Sequence, residues 1–145
     1  GNILLQQRAA TKKIYPLLWD VSVAGHVNSG ESLLTAAIRE VKEEIGITIG
    51  ENDLKKIGVM KSFQSYKSGI IDNEFHTIFI SKLNDDIENL SPQKEEVEAL
   101  KTVSISLFKK LLENSENNSH FVTSNKEYYV FVLKKIKDFI KKNKP

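Results

Sequence analysis

The sequence predicts an α/β protein in which a mixed β-sheet is sandwiched between helices. Two observations carry that prediction. Segments with the two-residue period of strands, or short apolar runs of strand length, are interspersed with three amphipathic segments of helical period. The 145 residues, 40% hydrophobic and 28% charged, have the balance of an ordinary globular domain with enough chain for a real core. No internal repeat or linker interrupts them, so residues 1–145 are expected to form one domain.

Taken in order, Ile3 to Gln7 is a short apolar strand. Because Gly1 and Asn2 read as a turn, the chain looks as though it starts halfway through a hairpin. An upstream strand, and with it part of a pocket, is therefore expected outside this sequence. Ala9 to Pro16 is a basic loop with Lys12 and Lys13. Trp19 to Val23 alternates Trp19, Val21 and Val23 against Asp20 and Ser22, the period of a half-buried strand. Gly25 to Gly30 is loop. Glu31 to Ile45 is a helix whose core face is Leu34, Ile38, Val41 and Ile45, stopped by Gly46, since glycine accepts the left-handed conformation. Ile57 to Phe63 and Phe75 to Leu83 are strands, joined by a segment that carries Ser68, Gly69 and the acidic Asp72, Asn73 and Glu74. Asp85 to Glu95 reads as a polar linker and Val97 to Val103 as a strand. Ile105 to Leu112 is a helix with Leu107, Phe108, Leu111 and Leu112 apolar, and 113–120 is a polar, Asn-rich loop. Lys126 to Lys142 is a closing amphipathic helix, with Tyr129, Val132, Leu133, Ile136 and Ile140 inward.

Composition narrows the function. With no cysteine, disulfide and thiolate chemistry are excluded, and a reducing cytoplasm is the expected location. No apolar run reaches the ~18 residues needed to span a bilayer. A net charge of +2 does not point to nucleic acid. The late lysines, Lys134, Lys135, Lys137, Lys141, Lys142 and Lys144, read as a solvated face that complements a helix dipole.

The chemistry concentrates in residues 25–47. On a helix, Glu40, Glu43 and Glu44 stand at i, i+3 and i+4 and share one stripe. Clustered carboxylates repel unless something positive sits among them, and hard divalent cations such as Mg²⁺ or Mn²⁺ prefer such oxygen ligands. A Glu-rich helix face is by itself usually only solvated. Here, however, the surrounding spacing is specific: Gly25, five residues, Glu31, seven residues, then Arg39, Glu40, Val41, Lys42, Glu43, Glu44, Ile45, Gly46 and Ile47.

This stretch resembles the Nudix box, G-x5-E-x7-R-E-U-x-E-E-x-G-U with U aliphatic, and every defined position is filled. The resemblance implies that Glu40, Glu44 and, in support, Glu43 bind metal beside a backbone carbonyl of Ala24. It also implies that Arg39 and Glu31 orient the helix and its carboxylates. The likeness extends beyond the box. Leu4 to Ala9, Lys12-Lys13, Tyr15-Pro16, Leu18 to Asp20, Val23 to His26 and Gly69 to Glu74 look like the isopentenyl-diphosphate isomerase branch of that superfamily. On that likeness His26 matches a metal-binding histidine and Glu74 a catalytic or metal-binding glutamate, with Asp72 two residues before it. The isomerases carry a cysteine where this chain has Ala24, and their box is degenerate where this one is intact. Both departures point to an isomerase-like frame that performs hydrolysis.

The resulting expectation is a Mg²⁺- or Mn²⁺-dependent hydrolase of a small-molecule diphosphate of the nucleoside-diphosphate type. Arg8, Lys12 and Lys13 are candidates to hold the phosphate, and Glu96, in a late acidic turn, is a candidate base or metal ligand. The general base stays open among the box glutamates, Glu74 and Glu96. Trp19 is expected in the core, and His76 and His120 receive no role. Oligomeric state is open, a homodimer included. The rivals are an isopentenyl-diphosphate isomerase-like enzyme and a non-catalytic module that binds a nucleotide or metabolite as a sensor.

Overall fold

The computed structural model describes residues 1–115, 120–122 and 126–143. Part of the expected polar loop, residues 116–119, and the late Lys144 lie outside them. The architecture is the expected α/β one. Strand β1 (Asn2–Arg8) lies between β2 (Trp19–Val21) and β5 (Val97–Ser104), antiparallel to both. Strands β3 (Lys55–Ser65) and β4 (Ile71–Ile80) form a long antiparallel hairpin. A parallel bridge between Trp19 and Phe121 completes the mixture of strand directions.

Helices α1 (Leu33–Ile45), α2 (Ile105–Glu113) and α3 (Lys126–Lys142) cover the sheet. Alternation along β1 assigns its two faces. Leu5 packs with Val103, Phe108, Leu112, Phe121, Tyr129 and Leu133 in the core beneath α2 and α3. Its neighbour Gln6 points the other way and donates to Glu44 of α1. The sandwich thus delivers the acidic helix to one face of the sheet.

Several boundaries differ from the sequence reading, each for a local reason. Helix α1 begins at Leu33 because the Ser32 hydroxyl caps it, accepting the Thr35 N–H. Glu31 therefore stays in the loop, where its carboxylate accepts the Asn28 N–H at 3.0 Å. Strand β2 ends at Val21 because the Ser22 hydroxyl, not the backbone, bonds the Leu4 carbonyl at 2.6 Å. Asp72, Asn73 and Glu74 lie within β4, not in a connecting loop. The Asp85–Glu95 segment is no free linker: Leu90 is buried, and Ser91 N–H bonds the Ile45 carbonyl at the end of α1. There Gly46 takes φ 78° against Ser91, whose carbonyl oxygen would sit 2.6 Å from any added Cβ. Leu107, expected inward, is exposed on α2. Among the described residues no helix is long and apolar enough to cross a membrane.

Candidate active site

Arg39 organises the site. Its Nε and Nη2 form a fork on the two Glu31 oxygens, both at 2.9 Å. Nη1 reaches Glu40 at 2.8 Å and Glu43 at 3.0 Å, and Nη2 also donates to the His26 carbonyl at 2.8 Å. One guanidinium thus ties the Gly-rich loop to the helix, a bidentate geometry that a lysine cannot reproduce. The Arg39 hydrogen bond, helped by the Asn28 N–H, holds the Glu31 carboxyl down to about 2.

Glu44 sits one helical turn away in a different environment. It is buried against β1, and its Oε2 accepts from the Gln6 amide at 2.8 Å and the Ala24 N–H at 3.2 Å. Burial drives its carboxyl up to about 7; the two donors oppose that rise, while the charges of Glu40 and Glu96 add to it. Gly25 brings the loop onto Glu40 so closely that an added Cβ would lie 1.9 Å from the Glu40 Cδ. Any side chain at position 25 would therefore push the Glu40 carboxylate aside.

Without a metal, the carboxylates take up partners within the chain. The carboxylates were expected to converge on a cation. Among the described residues, no three acidic or imidazole groups stand in a metal-holding arrangement. Glu40 and Glu43 turn to Arg39, which relieves their mutual repulsion, while Glu44 turns inward. Ala24, whose carbonyl the resemblance implies as a metal ligand, also donates its N–H to the Glu44 carboxylate.

The remaining candidates divide into two groups. Glu96 pairs with Lys12 and acts on Glu44 through its charge, so both belong to the site. His26 is 3.6 Å from Glu74, which also meets His76 at 3.1 Å, joining the Gly-rich loop to the hairpin. Asp72, by contrast, interacts with the Tyr66 hydroxyl. Arg8 is turned to the carbonyls of Ile14 and Tyr15 and lies 4.0 Å from Asp20, and Lys13 is exposed.

Sequence reasoning missed Gln6, the amide that anchors Glu44, because its residue type in a strand carries no signal. It also missed Asp20, which is buried on the Tyr129 hydroxyl at 2.9 Å and raised by that burial. His76 and His120, given no role, both have partners: His120 meets Lys101 at 2.8 Å and stacks on Trp19. That stack, beside the core, accords with the structural role expected of Trp19.

The donor set nevertheless suits a hard divalent cation. It is all oxygen, and its buried member, Glu44, has no cationic partner among the described residues and an elevated pKa with Glu40 and Glu96 nearby. Arg39 takes one oxygen of Glu40 and one of Glu43, which leaves the second oxygen of each carboxylate for a cation.

The site is thus a Gly-rich loop and an acidic helix held on one face of the sheet of an α/β domain. The chain belongs to the Nudix family: residues 1–124 match the NUDIX domain. It is 38% identical over 113 residues to an uncharacterised Nudix hydrolase of Clostridium acetobutylicum, covering 77% of this chain and 53% of that one. It is also 34% identical over 116 residues to isopentenyl-diphosphate Delta-isomerase 2 of Photorhabdus laumondii, covering 79% and 62%. In structure it is similar to a Deinococcus radiodurans protein (TM-score 0.64, 20% identity, 90% of this chain and 74% of that). A C. elegans Ap4A hydrolase is likewise similar in fold (TM-score 0.54, 23% identity, 96% and 86%). The chain spans about half the length of several of the relatives it matches.

Proposed function

We propose that this chain is a metal-dependent hydrolase that cleaves a diphosphate linkage of the nucleoside-diphosphate-X type by attack of water at phosphorus. The observation that carries the reading is Glu44: a buried carboxyl, raised to about 7 and with no cationic partner among the described residues, on the acidic helix behind a loop that touches Glu40. Glu40, Glu43 and Glu44, with the Ala24 carbonyl, would hold Mg²⁺ or Mn²⁺. Bound there, the ion would neutralise phosphate oxygens and acidify the attacking water.

The chain's own groups do the rest. Arg39 and Glu31 fix the loop and helix, so that the carboxylates keep their register when the substrate arrives. Lys12, Lys13 and Arg8, with His26, are the groups proposed to hold the substrate phosphates; Lys12 would exchange its pairing with Glu96 for a phosphate. A carboxylate takes the water's proton, from among the box glutamates, Glu74 and Glu96. Glu44→Gln is expected to reduce turnover at least about a hundredfold at saturating Mg²⁺, equal to ~2.7 kcal/mol of barrier. A steady-state assay with a panel of nucleoside diphosphates, diphosphosugars and dinucleotides, scored by phosphate release, tests this. Near-wild-type turnover would remove Glu44 from the mechanism, and silence across the panel would favour the sensor.

A second reading draws on the relatives named as isopentenyl-diphosphate isomerases. Ala24, in a chain without cysteine, leaves that reaction short of one proton-transfer group. Deuterium exchange into isopentenyl diphosphate, expected to be absent, decides between the two.

A further inference from the structure

The β3–β4 hairpin has two unlike faces. Glu74 and His76 mark one of them, which turns towards His26 and α3. The cross-strand register pairs Lys61 with Phe75, Phe63 with Asn73, Ser65 with Ile71 and Val59 with Thr77. The two-residue period therefore places all of these on the opposite face. That face is apolar and open: Val59 is 48% exposed, Phe63 64%, Ile71 63% and Phe75 75%, with Ile70 at the turn 57%. Scaling side-chain areas by these fractions leaves roughly 550 Å² of apolar surface, near the top of what a lone soluble chain exposes in one patch.

We propose that this face is a homodimer interface, occupied by the same face of a second copy across a two-fold axis. Area supports it: two such patches bury roughly 1,100 Å² before any polar rim is added, above the ~1,000 Å² that marks a biological interface. Charge supports it too. The register turns Asp72 and Glu74 to the other face, leaving Lys61 as the ionised strand residue among these pairs, and its alkyl stem can lie along a partner ring. Polar Ser65, Asn73 and Thr77 interrupt the patch at regular intervals. A protein partner satisfies their hydrogen bonds, whereas hydrocarbon does not, which favours a second copy over a lipid surface. β3 and β4 pair only with each other among the described residues.

Sedimentation velocity on the 145-residue chain between about 1 and 100 µM tests the proposal. The expected mass is twice the 16.4 kDa of one chain. The double variant Phe63→Ser, Phe75→Ser is expected to associate at least about a hundredfold more weakly with an unchanged circular dichroism spectrum. Leu107→Ser, at another exposed apolar position, is expected to leave the dimer intact. Should the double variant not fold, Phe75→Lys alone gives the same reading, with association weakened about tenfold or more. A monomeric wild-type chain at the highest concentration overturns the proposal, and its binding to phosphatidylglycerol vesicles would assign the face to lipid instead. A dimer that both hairpin variants leave untouched overturns it as well.

Discussion

Burial raises the Glu44 carboxyl to about 7, so above that pH the folded protein confines a charge that the unfolded chain keeps in water. Because the folded value lies above the ordinary 4.5, the unfolded chain binds fewer protons between the two values. Stability is therefore fully present below pH 4.5 and falls as pH rises through 7. The loss is at most about 3.5 kcal/mol, at ~1.4 kcal/mol per unit. Glu44→Gln is thus expected to raise the melting temperature at pH 8 in chelator and to change it little at pH 4, while abolishing turnover. Calorimetry at the two pH values checks this, and an equal shift at both would separate the effect from ionisation. Arg39 presents the opposite sign. It holds the Glu31 carboxyl at about 2, so their pairing contributes above pH 4.5 and is lost as pH falls towards 2. Arg39→Lys cannot keep the fork on Glu31 while reaching Glu40 and Glu43. The variant is expected to unfold at a higher pH on the acid side in a circular dichroism titration, and to lose about tenfold or more in kcat/KM.

At the scale of elements, two glycines bound the acidic helix and its loop for different reasons. Gly46 ends α1 in the left-handed region against the Ser91 backbone. Gly46→Ala is therefore expected to cost more than ~1 kcal/mol in urea denaturation, while the folded fraction retains its kcat. Gly25 has no such strain; its hydrogen stands where a methyl would displace the Glu40 carboxylate. Gly25→Ala is expected to depress kcat strongly with little change in the urea midpoint. If both variants lose stability alike, the loop glycine is structural and the contact with Glu40 incidental. The core of α1, the Gly46 stop and the helix α3 were legible because each rests on short-range periodicity or on a backbone preference. The start of α1 was less so: Glu31 and Ser32 both suit a helix entrance, and the Ser32 hydroxyl, by reaching Thr35 N–H, decides which caps. The extent of β4 was illegible for the same kind of reason. Asp72, Asn73 and Glu74 favour loops locally, and pairing with Ser62, Phe63 and Gln64 overrides that preference.

At the scale of the whole molecule, the site is assembled from parts far apart in sequence: Gln6 on β1, Ala24 and Gly25 in the loop, the α1 carboxylates, and Glu96 before β5. A divalent ion that binds this assembly stabilises it by mass action, by ~2.7 kcal/mol at a hundred times its Kd. Mg²⁺ or Mn²⁺ is expected to raise the melting temperature of the wild-type chain and not that of Glu44→Gln. Scanning fluorimetry with and without the ions checks it, and an equal rise in the two proteins would place the ions elsewhere. The sequence by itself determined the α/β class, the Nudix membership and which carboxylates lie on one helix stripe. Those follow from residue type and spacing along the chain. The packing of the chain settled that Glu44 is buried on Gln6, that Arg39 bonds Glu40 and Glu43, and that Glu96 stands close enough to act on the Glu44 charge. Those are through-space relations, fixed by how β1, α1 and the entry to β5 pack together, and spacing along the chain does not encode them.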